Sequence, residues 1–185
     1  MANTPSNMLP LRTKAPAFSL PDTISQKTLS LSKLKGDKGT VIMFICNHCP
    51  FVIHVNKMVV DLANAFAEDG INFIAISSND VANYPQDAPD KMTIHAKANN
   101  YPFPYLYDET QEIAKAYDAA CTPDFYLFDD DLKLVYRGQL DDSRPGNNLP
   151  VTGTDLKHAI NCLLNGKQNE APQKPSIGCN IKWKK

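Results

Sequence analysis

No apolar run in this 185-residue chain approaches the roughly 20 residues that a helix needs to span a bilayer, so a membrane-spanning protein is not expected. The first residues, Met1-Ala2-Asn3-Thr4-Pro5-Ser6-Asn7, lack the basic start and apolar core of a secretory leader, and a cytoplasmic protein is the expectation. Charge of one sign is lacking too: 19 Lys and Arg are mixed with 20 Asp and Glu, for a net charge of −1. Without a basic patch there is no electrostatic footprint for nucleic acid or an anionic membrane, which leaves proteins or small molecules as partners. Repeats and low-complexity tracts are absent. Cysteine is scarce: five in all, an odd number, in a chain whose 43% apolar content is enough for one domain with its own core. A secreted disulfide framework is therefore not expected, and in a reducing compartment a close cysteine pair points to redox catalysis or to metal.

Such a pair is present. Cys46-Asn47-His48-Cys49-Pro50 follows directly on the apolar run Val41-Ile42-Met43-Phe44-Ile45. From Pro50 to Glu68 the residues Val52, Val55, Val59, Leu62, Ala63 and Phe66 recur at helical spacing, and Gly70 stops the run. Ile71 to Ile76 reads as a second buried strand, so strand, helix and strand form a βαβ unit with parallel strands. Two thiols then lie at a helix N-terminus, where unpaired N–H groups and the helix dipole favour a thiolate. Proline is favoured at the first helical position, so Pro50 makes Cys49 the N-cap, with Cys49 as the expected nucleophile and Cys46 as its resolving partner.

Around this unit, Ala15–Leu20 and Thr28–Leu31 suggest an N-terminal β-hairpin, and Ser32–Gly36 a brief helical turn. A weaker helix is expected over 87–99, a short strand at 104–106 and a helix over 111–117. Phe125–Phe128 and Leu132–Tyr136 flank an aspartate turn as an antiparallel hairpin, and 155–164 is a last amphipathic helix. The segment after 164 is polar and carries Pro172 and Pro175, so residues 165–185 are expected as an irregular tail and 1–14 as a flexible N-terminus around a domain at 15–164. The order βαβ, helix, ββ, helix gives an α/β, thioredoxin-like fold with a central mixed sheet flanked by helices.

Ala15-Pro16-Ala17-Phe18-Ser19-Leu20, the Leu34-Lys35-Gly36 turn, the strand into the cysteine pair, and Thr122-Pro123 before a strand together resemble the AhpC/TSA and thioredoxin-like superfamily. Cys46 to Pro50, Cys121 to Phe125 and the loop Asp141 to Gly146 resemble its peroxiredoxin-like proteins that carry a Cys-x-x-Cys. The resemblance covers roughly 15–164 and implies a thiol-disulfide oxidoreductase without cofactor or metal. Its substrates would be protein disulfides or small thiols, with hydroperoxides as a further class, and its reductant is not identified. Attack by Cys49 reverses the usual thioredoxin order within the pair. The resemblance also implies that Thr122 and Pro123 form a substrate-binding loop packed on the cysteines. The peroxiredoxin threonine and arginine that orient peroxide correspond here to Cys46 and Pro123, groups that donate weakly or not at all.

Cys121 is a candidate third thiol, with a small buried hydrophobe as the equal alternative. His48 is a candidate for tuning a sulfur, and Arg144 for supporting a thiolate, although a solvated loop charge is the commoner role of such an arginine. His54, His95 and His158 read as ordinary helical residues. Cys162 reads as core packing and Cys179 as part of a loose or packed terminus. A metal module using Cys46, Cys49 and Cys121 is the alternative from another class, although no second Cys-x-x-Cys completes a tetrahedral set. A thiol peroxidase is the alternative within redox chemistry.

Overall fold

In the computed structural model, residues 3–185 are described. The first strand, β1 (Thr4–Pro5), precedes a hairpin of β2 (Ser19–Pro21) and β3 (Thr28–Ser30), and a one-turn helix α1 (Leu31–Leu34). Strand β4 (Gly39–Phe44), helix α2 (Pro50–Phe66) and strand β5 (Ile71–Ser77) form the expected βαβ unit, with β4 and β5 parallel. A single 3-10 turn (Pro85–Asp87), helix α3 (Pro89–Ala98), strand β6 (Tyr105–Tyr107) and helix α4 (Glu112–Ala116) follow. Then come β7 (Cys121–Thr122), β8 (Asp124–Asp129), β9 (Leu134–Gly138), α5 (Thr154–Leu164) and β10 (Ile177–Asn180). The five-stranded sheet has the order β6-β5-β4-β8-β9, with β8 antiparallel to both β4 and β9.

Every residue of β4 is buried because this strand is central and both of its faces are covered. Successive side chains point to opposite faces of a strand, so Val41, Met43 and Ile45 join one core and Ile42 and Phe44 the other. The first core holds the apolar faces of α2, α3 and α5 together with Cys46, Cys49 and Cys179. The second holds Phe18, Leu20, Leu31, Ala114 and Tyr117 from the hairpin, α1, α4 and its end. Helix α2 lays Val52, Val55, Val59, Leu62, Ala63 and Phe66 on the sheet. Each fully buried large apolar side chain of that face contributes ~1.5–3 kcal/mol, which fixes the helix and with it the position of its N-terminus.

The two ends of the chain depart from expectation. The N-terminus is not loose from Thr4 on, and the C-terminal tail does not stay irregular. Strand β10 lies between β1 and β7 in a second sheet, antiparallel to both, with Thr4 opposite Gly178 and Cys179 opposite Thr122. Further bonds secure it: Ser176 Oγ donates to Pro123 O at 2.5 Å, Lys182 N to Asn79 Oδ1 at 2.8 Å and Lys184 N to Gln111 Oε1 at 2.8 Å. The part of the expected flexible segment formed by Met1 and Ala2 lies outside the described residues. No helix among the described residues is long and apolar enough to cross a membrane.

Candidate active site

The end of β4 and the start of α2 place the cysteine pair. Pro50 occupies the first turn of α2 and Cys49 is its N-cap, in extended backbone conformation, as the proline required. Val52 N and Ile53 N both bond Cys49 O at 3.0 Å, which closes the first turn beneath the sulfur. Both thiols are buried, Cys46 at 1% exposure and Cys49 at 0%. Across from them lies the Thr122–Pro123 loop, whose peptide bond is cis. Thr122 touches both cysteines: its Oγ1 is 3.6 Å from Cys46 Sγ, and its carbonyl accepts from the Cys49 thiol at 3.1 Å.

The environment separates the two thiols. Donation from the Cys46 thiol is the largest influence on Cys49 and, against the opposing effect of burial, brings its pKa down to about 5. The Cys179 thiol, the Thr122 hydroxyl and the Val52 N–H add in the same direction. The same Cys46–Cys49 hydrogen bond holds the Cys46 pKa well above that of an ordinary thiol, with burial and the Asp87 charge reinforcing it. A carboxylate near a thiol and a donor beside it act in opposite senses; the Asp87 charge acts on Cys46, where the Thr122 hydroxyl opposes it, while donors prevail at Cys49.

His48 is where tuning was anticipated. Its Nδ1 is 2.6 Å from Asp87 Oδ2 and 4.0 Å from Cys46 Sγ, and its ring stacks on Tyr84 at 5.8 Å. Asp87 is fully buried and accepts from Asn47 N at 2.8 Å and from Asn79 Nδ2 at 2.8 Å as well. Sequence reasoning missed Asp87 and Asn79. Asp87 sits about 40 residues from the pair, directly before α3, where an aspartate reads simply as a helix-start residue. Among the described residues, the ligand atoms close enough for a common ion belong to Cys46, His48 and Asp87, all within 4.8 Å. This is not the set Cys46, Cys49 and Cys121.

Cys121 is buried, but its thiol points to Pro123 O at 3.7 Å and Ser176 O at 4.0 Å. Neighbouring residues of a strand face opposite ways, so Thr122 facing Cys46 turns Cys121 aside. Burial raises its pKa. Arg144 does arrive at this end of the sheet, since residues of its loop line a small cleft with Pro123 and Phe51. Its guanidinium, however, donates to Asp141 O at 2.6 Å, Ser143 O at 2.7 Å and Gln139 Oε1, so it serves its own loop. Of the other histidines, His54 bonds Ser143 Oγ at 2.7 Å and His95 bonds Asn56 and Tyr101 at 3.1 Å. Cys162, expected in the core, is only half-buried and lies 3.5 Å from His158 Nε2. Cys179, expected at a loose or packed terminus, is buried in a strand beside the pair.

A central mixed sheet between helices, two thiols at the start of α2 and a cis-proline loop packed on them define a thioredoxin-like protein. Residues 11–137 match the AhpC/TSA family, and the chain belongs to that family. A protein from Geobacillus kaustophilus, described as an uncharacterized conserved protein, is 58% identical and superposes with a TM-score of 0.98 over 100% of this chain and 97% of its own. A hypothetical protein from Sinorhizobium meliloti is 44% identical, with a TM-score of 0.95 over 98% of each chain. The thioredoxin domain of a thiol-disulfide oxidoreductase from Bacteroides vulgatus shares the fold at 18% identity, with a TM-score of 0.66 over 85% of this chain and 99% of that domain. Among curated proteins none matches. Family membership supports thiol-based redox activity of the oxidoreductase or peroxidase type.

Proposed function

We propose that the chain is a thiol-disulfide oxidoreductase in which Cys49 attacks and Cys46 resolves. The observation that carries this reading is the unequal treatment of the two sulfurs: Cys49 caps α2 and collects donors that lower its pKa to about 5, whereas Cys46 is the donor and keeps its proton. The Cys49 thiolate attacks one sulfur of a substrate disulfide, a Cys49–substrate bond forms, and the second substrate sulfur leaves as a thiolate that takes up a proton. Cys49 is then no longer an anion, so the main influence that held the Cys46 proton is gone. Cys46 attacks Cys49, the protein disulfide forms, and the first substrate sulfur departs as a thiol or thiolate. Two protein thiols are oxidised and one substrate disulfide is reduced. The His48–Asp87 pair stands beside Cys46, with His48 27% exposed, and joins the turn to solvent. Protein disulfides and small-molecule disulfides are the substrate class, with the Thr122–Pro123 loop as the contact surface.

Hydroperoxide reduction is the slower activity in this reading. Arg144 is engaged by its own loop, and the hydroxyl of Thr122 is shared between Cys46 and Cys49, so no arginine donor is arranged to polarise a peroxide at Cys49. Cys49→Ser should abolish attack on a substrate disulfide, and Cys46→Ser should preserve it. Mass spectrometry of each variant after reaction with a disulfide substrate locates the modified sulfur. An adduct on Cys46 in the Cys49→Ser protein would reverse the assigned order. Steady-state rates with a disulfide and with hydrogen peroxide provide the second test, and a peroxide rate above the disulfide rate would reverse the preference.

A further inference from the structure

Directly opposite residues of an antiparallel pair project from the same face, with Cβ atoms ~4.5–5.5 Å apart. Cys179 of β10 is opposite Thr122 of β7. Thr122 Oγ1 faces Cys46 Sγ and Thr122 O meets Cys49 Sγ, so the face on which Cys179 projects is that of the cysteine pair. Cys179 is 6% exposed and packs in the same apolar cluster as Cys46 and Cys49. The approach is close because Gly178 has no side chain, and a Cβ there would stand 1.9 Å from Thr122 O. Burial, reinforced by the neighbouring Cys49, pushes the Cys179 pKa up to about 12, so the thiol keeps its proton while Cys49 is an anion.

We propose that Cys179 is the third redox thiol of this site and forms a disulfide with Cys49 in alternation with Cys46. The proposal rests on Cys49 being the attacking sulfur. When Cys49 carries a substrate sulfur, Cys179 gives up its proton and attacks Cys49. The Cys49–Cys179 bond forms, the bond to the substrate sulfur breaks, and the departing thiolate takes the proton. Cys46 can then attack Cys49 in turn, which leaves Cys46–Cys49 bonded and returns Cys179 to the thiol. The two electrons come from whichever two protein thiols end in the disulfide and are accepted by the substrate disulfide, so no other oxidant enters. The two partners approach Cys49 from different elements, Cys46 from the turn before α2 and Cys179 from the strand paired with Thr122.

The test uses the full-length reduced chain with Cys46→Ser, exposed to oxidised glutathione, quenched in acid, alkylated and peptide-mapped by mass spectrometry. The expected product is a Cys49–Cys179 disulfide with glutathione released, and Cys46→Ser/Cys179→Ser should instead retain glutathione on Cys49. A lasting glutathione adduct on Cys49 with Cys179 alkylated in the single variant overturns the proposal and leaves the role of Cys49 standing. Absence of any adduct or disulfide at Cys49 in both variants overturns the role of Cys49 and the proposal with it. Gly178→Ala in the Cys46→Ser protein supplies a geometric control. Displacing β10 from Thr122 should slow Cys49–Cys179 formation at least tenfold relative to glutathione addition at Cys49 in the same protein. An unchanged Cys49–Cys179 rate overturns the proposal.

Discussion

Removing the Cys46 thiol tests the electrostatics of the pair directly, because it deletes the largest influence on the Cys49 thiolate and leaves the other donors in place. A hydrogen bond to a charged group is worth ~1.5–3 kcal/mol, which corresponds to ~1–2 pKa units. The Cys49 midpoint, about 5 in the native chain, should therefore rise to about 6–7 in Cys46→Ala. At pH 5.5 the ionised fraction falls from about three quarters to between about 3% and 25% by the same relation. Cys46→Ser retains a hydroxyl donor and should move the midpoint by roughly half a unit or less. The assay is the ultraviolet absorbance of the thiolate against pH, each variant taken as a difference from the same variant carrying Cys49→Ser as well. A midpoint in Cys46→Ala equal to that of the native chain refutes the reasoning. So does an equal rise in the serine and alanine variants, since donation would then not be the cause.

Asp124 is buried on the opposite face of the sheet with Oδ1 unpartnered, and burial raises its pKa to about 8. A folded-state pKa above the unfolded value of ~3.9 means that the contribution to stability is complete below pH ~4 and is lost as pH rises toward 8. Asp124→Asn should flatten that decline, and the difference between native and variant urea midpoints from pH 4 to 9 measures it. A constant difference would contradict the assignment. Asp87→Asn places an amide among the donors Asn47 N, Asn79 Nδ2 and His48 Nδ1, and should cost about 1–3 kcal/mol in denaturant unfolding of the reduced chain. A loss under ~0.5 kcal/mol would show that the carboxylate is not needed there.

The βαβ unit was legible because its signals are local: a β4 run apolar on both faces, a period of 3.6 through α2, and Gly70 at its end. The N-cap position of Cys49 followed from Pro50 alone. What escaped has its cause elsewhere in the chain. Strand β10 is four residues long, follows a polar, proline-containing segment, and is a strand only because β1 and β7 pair with it from positions more than 50 residues away. The one local hint was Ile177 and Ile181 flanking Gly178-Cys179-Asn180, too short a pattern to outweigh the prolines. Asp87 carries no local mark of its task, and only the packing of the segment before α3 beside the cysteine turn joins it to His48. Arg144 was placed at the correct end of the sheet by strand direction, but its guanidinium is taken up by the carbonyls of Asp141 and Ser143 within its own loop.

Both sulfurs are buried and Cys179 of β10 packs in the same cluster, so a reagent reaches Cys49 only when this packing opens, and its rate is an intrinsic chemical rate multiplied by the open fraction. Such openings range from nearly free at chain ends to the full cost of unfolding, and every ~1.4 kcal/mol of docking energy slows access tenfold. Asn79 binds Lys182 N with one side-chain atom and Asp87 with the other, so undocking the strand also loosens the support of the His48–Asp87 pair. Amide exchange at Ile177 to Asn180 and thiol labelling at Cys49 should accordingly report one and the same breathing motion.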